Sequence, residues 1–194
     1  MFVASLMGLP LPLLPIQILW VNLVTDGFPA LALGVDTVDP DVMKRLPRNP
    51  HEPVITKQRA MLILAQGAFI AFCSLIAFSF VLLVEKQDIT RARTSAFIVL
   101  SCAQLFHSFN CRSPKESLFK IGIFTNTKLI FANLVSFGLL MAVVYFPFLQ
   151  NIFKTSNLSV FDWILVISIS SFPLWAMEIL KATGRKKEDK DGVR

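Results

Sequence analysis

Charge is scarce in this chain: Asp, Glu, Lys and Arg make up 16% of its 194 residues. A soluble domain of ordinary composition carries about a quarter, so water is not the solvent for which most of this sequence is built. Cysteine is sparse too. Cys73, Cys102 and Cys111 lie in or at the end of apolar stretches and lack the paired spacing of a zinc site or a disulfide scaffold. No internal repeat, Ser-His-Asp arrangement or glycine-rich phosphate loop is present. The first 15 residues lack the basic leader of a cleaved signal peptide and run directly into a further apolar stretch. They are expected to be the remainder of a truncated span. The net charge of +6 does not point to nucleic acid, because the basic residues sit beside apolar runs, where they act as topology signals.

What the chain has in abundance is apolar length. Hydrophobic residues reach 54%, phenylalanine alone occurs 18 times and the mean hydropathy is +0.62. A run of about 20 apolar residues spans a bilayer as a helix. The expected fold is therefore all-α, a polytopic transmembrane helical bundle with five complete spans and a truncated N-terminal one, and the lipid bilayer is its first partner. Residues 1–15 form the truncated span and a turn, since Pro10, Pro12 and Pro15 forbid a continuous helix. Residues 16–33 form a complete span. A polar loop follows over 34–58, stiffened by Pro40, Pro47, Pro50 and Pro53. Residues 59–180 hold four more spans, near 60–84, 94–110, 129–146 and 161–180, and 181–194 is a charged, mobile tail. All but four of the 19 basic residues, the exceptions being Lys86, Arg91, Arg93 and Lys154, fall in loops on one side. That side is then cytoplasmic, with the C-terminus on it.

One span carries chemistry. An ionisable carboxyl in an apolar helix costs several kcal/mol unless a partner or cavity offsets it, and Asp26 is such a group. Asn22, Thr25 and Asp26 stand at i, i+3 and i+4, which on a regular helix is one face bearing three oxygen side chains. Oxygen ligands suit hard cations, calcium above all, which takes roughly six to eight of them in a flexible shell. Gly27 and Pro29 follow at once and weaken the helix, freeing backbone carbonyls as at the midplane sites of transporters. The plainer alternative is that Asn22 and Asp26 only satisfy that break or hold helices together.

The run Gln17-Ile18-Leu19-Trp20-Val21-Asn22-Leu23-Val24-Thr25-Asp26-Gly27-Phe28-Pro29-Ala30, continuing through Gly34, resembles the sixth membrane helix of P-type calcium-transporting ATPases. Gly8-Leu9-Pro10 resembles the end of the fifth helix. Asp39-Pro40-Asp41-Val42-Met43 and Arg45-Leu46-Pro47-Arg48 are similar to the loop between helices six and seven. The resemblance implies that Asn22 and Asp26 coordinate transported Ca2+, that Thr25 belongs to a second site in two-ion pumps, and that Asp36, Asp39 and Asp41 lie in the loop coupling the ion site to the phosphorylation domain. Two-ion pumps place a Glu in helix eight where this chain has Gln104. A neutral amide in place of a carboxylate favours one ion per cycle, with Gln104 either a ligand or simple helix-helix glue.

The resemblance also defines what these residues do not contain. The phosphorylated Asp motif, the nucleotide-binding and actuator domains, and helices one to four have no counterpart here, so ATP and Mg2+ are expected only in a full-length parent. The missing helices and cytoplasmic domains of that pump are the expected protein partners, and the plasma membrane of a prokaryote is the expected location. Na+ or Mn2+ as the ion, or a stand-alone membrane protein that binds cations or associates with a pump, are the alternatives. His51 is expected to be exposed, His107 to be a hydrogen-bonded structural histidine, and Glu178 to snorkel or pair with Lys181.

Overall fold

The structure is a computed structural model that describes residues 1–36, 53, 55–84, 88–113 and 117–190. Among them every regular element is helical. A short helix α1 (Phe2–Leu6) ends at Gly8, whose φ of +68° turns the chain towards the prolines. Pro15 then occupies the first position of α2 (Pro15–Trp20), where its missing N–H is no loss. The backbone N–H of Leu14 is taken up by Gln17 Oε1 at 3.0 Å. A widened π-helical turn over Val21–Thr25 leads into α3 (Gly27–Gly34), so the expected span at 16–33 is present but broken in its middle.

The other helices follow their caps. Thr56 accepts from the backbone of Arg59 and starts α4 (Lys57–Ser79), which runs on as a second π-turn over Phe80–Val84. Helix α5 spans Ile89–Asn110, beginning a turn earlier than its apolar stretch. Ser117 caps the short α6 (Leu118–Ile121), and Asn126 caps α7 (Thr127–Tyr145) by accepting from Leu129 N–H at 2.9 Å. The segment expected as a loop at 147–159 contains α8 (Pro147–Phe153), stopped by Lys154 at φ +53°. Ser159 and Asp162 exchange backbone and side-chain hydrogen bonds, a reciprocal cap that starts α9 (Val160–Lys190). That helix continues through residues expected to be a mobile tail.

Among the described residues, four helical stretches are long and apolar enough to cross a membrane: Pro15–Gly34, Arg59–Leu83, Thr127–Tyr145 and Val160–Thr183. With the apolar side chains they leave outside, among them Leu64, Phe131 and Phe172, they make a multi-pass integral membrane protein. Helix α5 is long enough but not apolar enough to be counted with them. It is instead the central post, packed against α4, α7 and α9, with Ala96, Phe97, Ile98, Val99 and Ala103 fully buried.

The two ends of the bundle are tied differently. At one, Gln17, wholly buried, donates to the Phe153 carbonyl at 3.0 Å, and Arg91 pairs with Asp162 at 2.6 Å. At the other, the ends of α3 and α5 meet the start of α7 and the later part of α9. There Lys181 donates to the Asn110 carbonyl at 3.1 Å, while Glu178 accepts from Ser117 and from Leu118 N–H. Glu178 also lies 3.6 Å from Lys181, so the expected pairing is present, with Glu178 buried.

Candidate cation site

The break in the first long helix is a matter of backbone geometry. The Asp26 N–H donates to the carbonyl of Val21, five residues back, at 2.9 Å, which widens the turn just before the carboxylate. Pro29 brings no N–H, so no helical bond from position 29 can reach the Thr25 carbonyl. The Val24 carbonyl is taken by Ser136 Oγ of α7 at 3.0 Å, a bond from outside the helix to its loosened stretch. Regular helical numbering resumes with Ala30 N–H on the Asp26 carbonyl at 3.0 Å.

The widened turn rotates the three polar residues away from the shared face that a 3.6-residue period gives. Thr25 is buried, while Asn22 and Asp26 are exposed. Thr25 and Asp26 line a cavity of about 400 Å³ whose other walls come from α4, with Gln66 and Gly67, and from α5, with Gln104, His107 and Cys111. Asn22 is not among its lining residues. The structure thus brings Thr25, Asp26 and Gln104 together, from segments nearly 80 residues apart, and leaves Asn22 to one side. Asp36 stands beyond the end of α3, and Asp39, Asp41 and His51 lie outside the described residues.

Two side-chain atoms of the α5 wall are conspicuous. Gln104 Oε1 and His107 Nδ1 are shielded from solvent and have no hydrogen-bond partner among the described residues. Burying such an atom without a partner costs on the order of 1–3 kcal/mol, so each is poised to accept or donate to something that enters. His107 therefore lacks, at Nδ1, the bond expected of a structural histidine. Ser108, by contrast, is held, donating to the Leu105 carbonyl at 2.7 Å and accepting from Asn133 at 3.0 Å.

Chemically, the cavity offers one carboxylate, a hydroxyl and an unpaired amide oxygen, a hard donor set suited to a hard cation. Among the described residues no group of three or more His, Cys, Asp and Glu side chains converges as a metal cluster. A cation held here would take oxygens, and these three fall short of a full calcium shell.

Sequence reasoning missed the residues that brace the site: Ser136, Asn126 and Arg112. Ser136 is a small polar residue within an apolar span, the signal that most often marks a helix contact. Arg112 makes a bidentate pair with Asp36, at 2.8 and 3.3 Å, and no local pattern announces it because 76 positions separate the two.

Residues 10–183 match the family described as cation transporting ATPase, C-terminus. The chain is similar to a calcium-transporting ATPase of Bacillus subtilis (strain 168), 45% identical over 177 residues covering 91% of this chain and 20% of the relative. It is 43% identical over 196 residues to calcium-transporting ATPase 1 of Bacillus cereus (strain ATCC 10987 / NRS 248), covering 93% and 22%. To calcium-transporting ATPase type 2C member 1 of Homo sapiens it is 35% identical over 188 residues, covering 95% and 20%. The chain spans about a fifth of the length of these relatives.

Proposed function

Because the chain belongs to the cation-transporting ATPase C-terminal family, we propose that it works as the C-terminal membrane portion of an ATP-driven P-type pump that exports Ca2+ from the cytoplasm. In this proposal α5 is a fifth crossing, the ends carrying Arg112 and Lys181 face the cytoplasm, and the membrane is the plasma membrane of a prokaryote. ATP hydrolysis, with its Mg2+, belongs to parts of the pump outside these 194 residues. So do the remaining Ca2+ ligands.

The broken helix carries the proposal, because it delivers the Asp26 carboxylate to the same cavity as the unpartnered Gln104 oxygen. A divalent ion there offsets the cost of holding a carboxylate within an apolar bundle. Asn22, outside the cavity lining, joins the shell when α2 and α3 close on the ion, and the ligands still missing come from the helices outside these residues. The cavity lining holds a single carboxylate, and calcium affinity follows the number of charged ligands, which supports one ion per cycle.

Two measurements on the full-length pump test this. Asp26→Asn is expected to abolish Ca2+-dependent phosphorylation from ATP, and a normal Ca2+ dependence in that variant would refute the assignment. The coupling ratio is expected to be one Ca2+ per ATP before and after Gln104→Ala; a ratio that falls from two to one contradicts the single site.

A further inference from the structure

Outside the cavity, the most heavily committed side chain at the cytoplasmic end of the bundle is Arg112. Its Nε and Nη2 hold the two carboxylate oxygens of Asp36, its Nη1 donates to the Gly122 carbonyl at 2.8 Å, and Nη2 also reaches Thr125 Oγ1 at 2.9 Å. The Arg112 side chain is 2% exposed and that of Asp36 14%. The loop is shaped for this. Gly122 takes a φ of +88°, a conformation that favours glycine. Its added Cβ would meet Thr125 Cγ2 at 3.1 Å. Next to that loop, Asn126 donates to the Ala32 carbonyl in the last turns of α3 at 3.5 Å.

Helix α3 therefore has unlike ends. At Asp26 its joint with α2 is loosened by the π-turn and by Pro29; at Asp36 it is clamped. Between them lie eight residues of helix, roughly 12 Å at 1.5 Å per residue. A short helix of this kind moves as a rod, so holding its far end limits where its near end can go.

We infer that Arg112 is a positioning residue for the cation: by clamping Asp36 it fixes α3 and so sets the place of Asp26, making ion affinity depend on a charge pair outside the cavity. This rests on Asp26 being a cation ligand. It also divides the acidic stretch after α3, since Asp36 is turned inward onto the membrane bundle rather than offered to a cytoplasmic domain.

The test uses the full-length pump. Phosphoenzyme formed from ATP is titrated against free Ca2+, and phosphoenzyme formed from inorganic phosphate without Ca2+ counts the folded sites. Arg112→Gln and Asp36→Asn are each expected to raise the half-maximal Ca2+ concentration roughly tenfold, within the usual range of coupling between sites. The double variant should go no further than either single one, because both break the same pair. Arg112→Lys should fall between, since an ammonium cannot form the fork. An unchanged Ca2+ midpoint in the folded fraction, or effects of the two single variants that simply multiply, would overturn the inference. Loss of folded sites with a normal midpoint in the remainder would likewise assign the pair to folding alone. Asp26→Asn separates the two levels: if it titrates normally the site itself is misassigned, whereas if it fails and the Arg112 variants titrate as wild type, only the clamp falls.

Discussion

The proposed cation cavity has two principal walls built on opposite plans. One is the helix of residues 15–34, broken at its centre, with Asp26 exposed and a backbone carbonyl satisfied from a neighbouring helix. The other is α5, unbroken over 22 residues and buried through most of its length. In the proposed pump the broken wall would bend around an ion while the unbroken one keeps its amide in register. Hydropathy runs against intuition here as well. The four stretches apolar enough to cross a membrane turn much of their surface outward, and the long helix that is not among them lies innermost, because in lipid it is the polar groups that seek the interior of a bundle.

Changes to each wall should therefore fail in different ways. The largest contrast is between the walls' proposed ligands: Asp26→Asn in the full-length pump should remove Ca2+-dependent phosphorylation altogether, while Gln104→Ala should weaken Ca2+ binding and leave the coupling ratio alone. Next, Ala103→Leu places a larger side chain at a fully buried position of α5. It should lower stability by about 1–3 kcal/mol, read as a drop in the detergent or thermal midpoint. A smaller effect is expected from Ser136→Ala, which frees the Val24 carbonyl; hydrogen bonds between membrane helices average about 0.6 kcal/mol, and the Ca2+ midpoint should shift about two- to threefold. The smallest should come from Gly27→Ala. Its new Cβ would stand 3.9 Å from the Asn22 carbonyl, an ordinary contact, so the helix should gain about 0.5 kcal/mol. Stiffening that joint should slow turnover without changing the amount of folded protein. Equal sensitivity of stability at Gly27 and Ala103 would erase the distinction between the walls.

Much of this was legible in the residues themselves. The apolar runs located the long helices but not α8, the early start of α5 or the full length of α9, and Asp26 with Gly27 and Pro29 marked the interrupted one. The interruption begins earlier than those residues suggest, over Val21–Thr25, where the turn widens to put Asp26 N–H on the Val21 carbonyl, and Pro29 adds to it by leaving the Thr25 carbonyl without a helical bond from position 29. A 3.6-residue period consequently misplaces Thr25 relative to Asn22. Gln104 was reachable through its family resemblance, whereas the Arg112–Asp36 pair and the Ser136 contact depend on which distant segments the fold makes neighbours. Local periodicity carries no record of that. The extension of α9 through Lys190 was hidden for a related reason: a charged tail reads as solvated, yet Lys and Glu are good helix formers once a helix is already running.

The low apolarity of α5 also has a consequence for how the protein is made. A segment bearing Arg91, Arg93, Gln104, His107 and Asn110 has little reason to leave the insertion machinery for lipid by itself. As the proposed fifth crossing, it would enter with α4 as a pair, its Ser74–Ala96 contact already formed, and wait for α7 and α9 to enclose its remaining faces. The helix at the centre of the finished bundle is then the one whose arrival depends most on its neighbours, and synthesis order becomes part of the folding code.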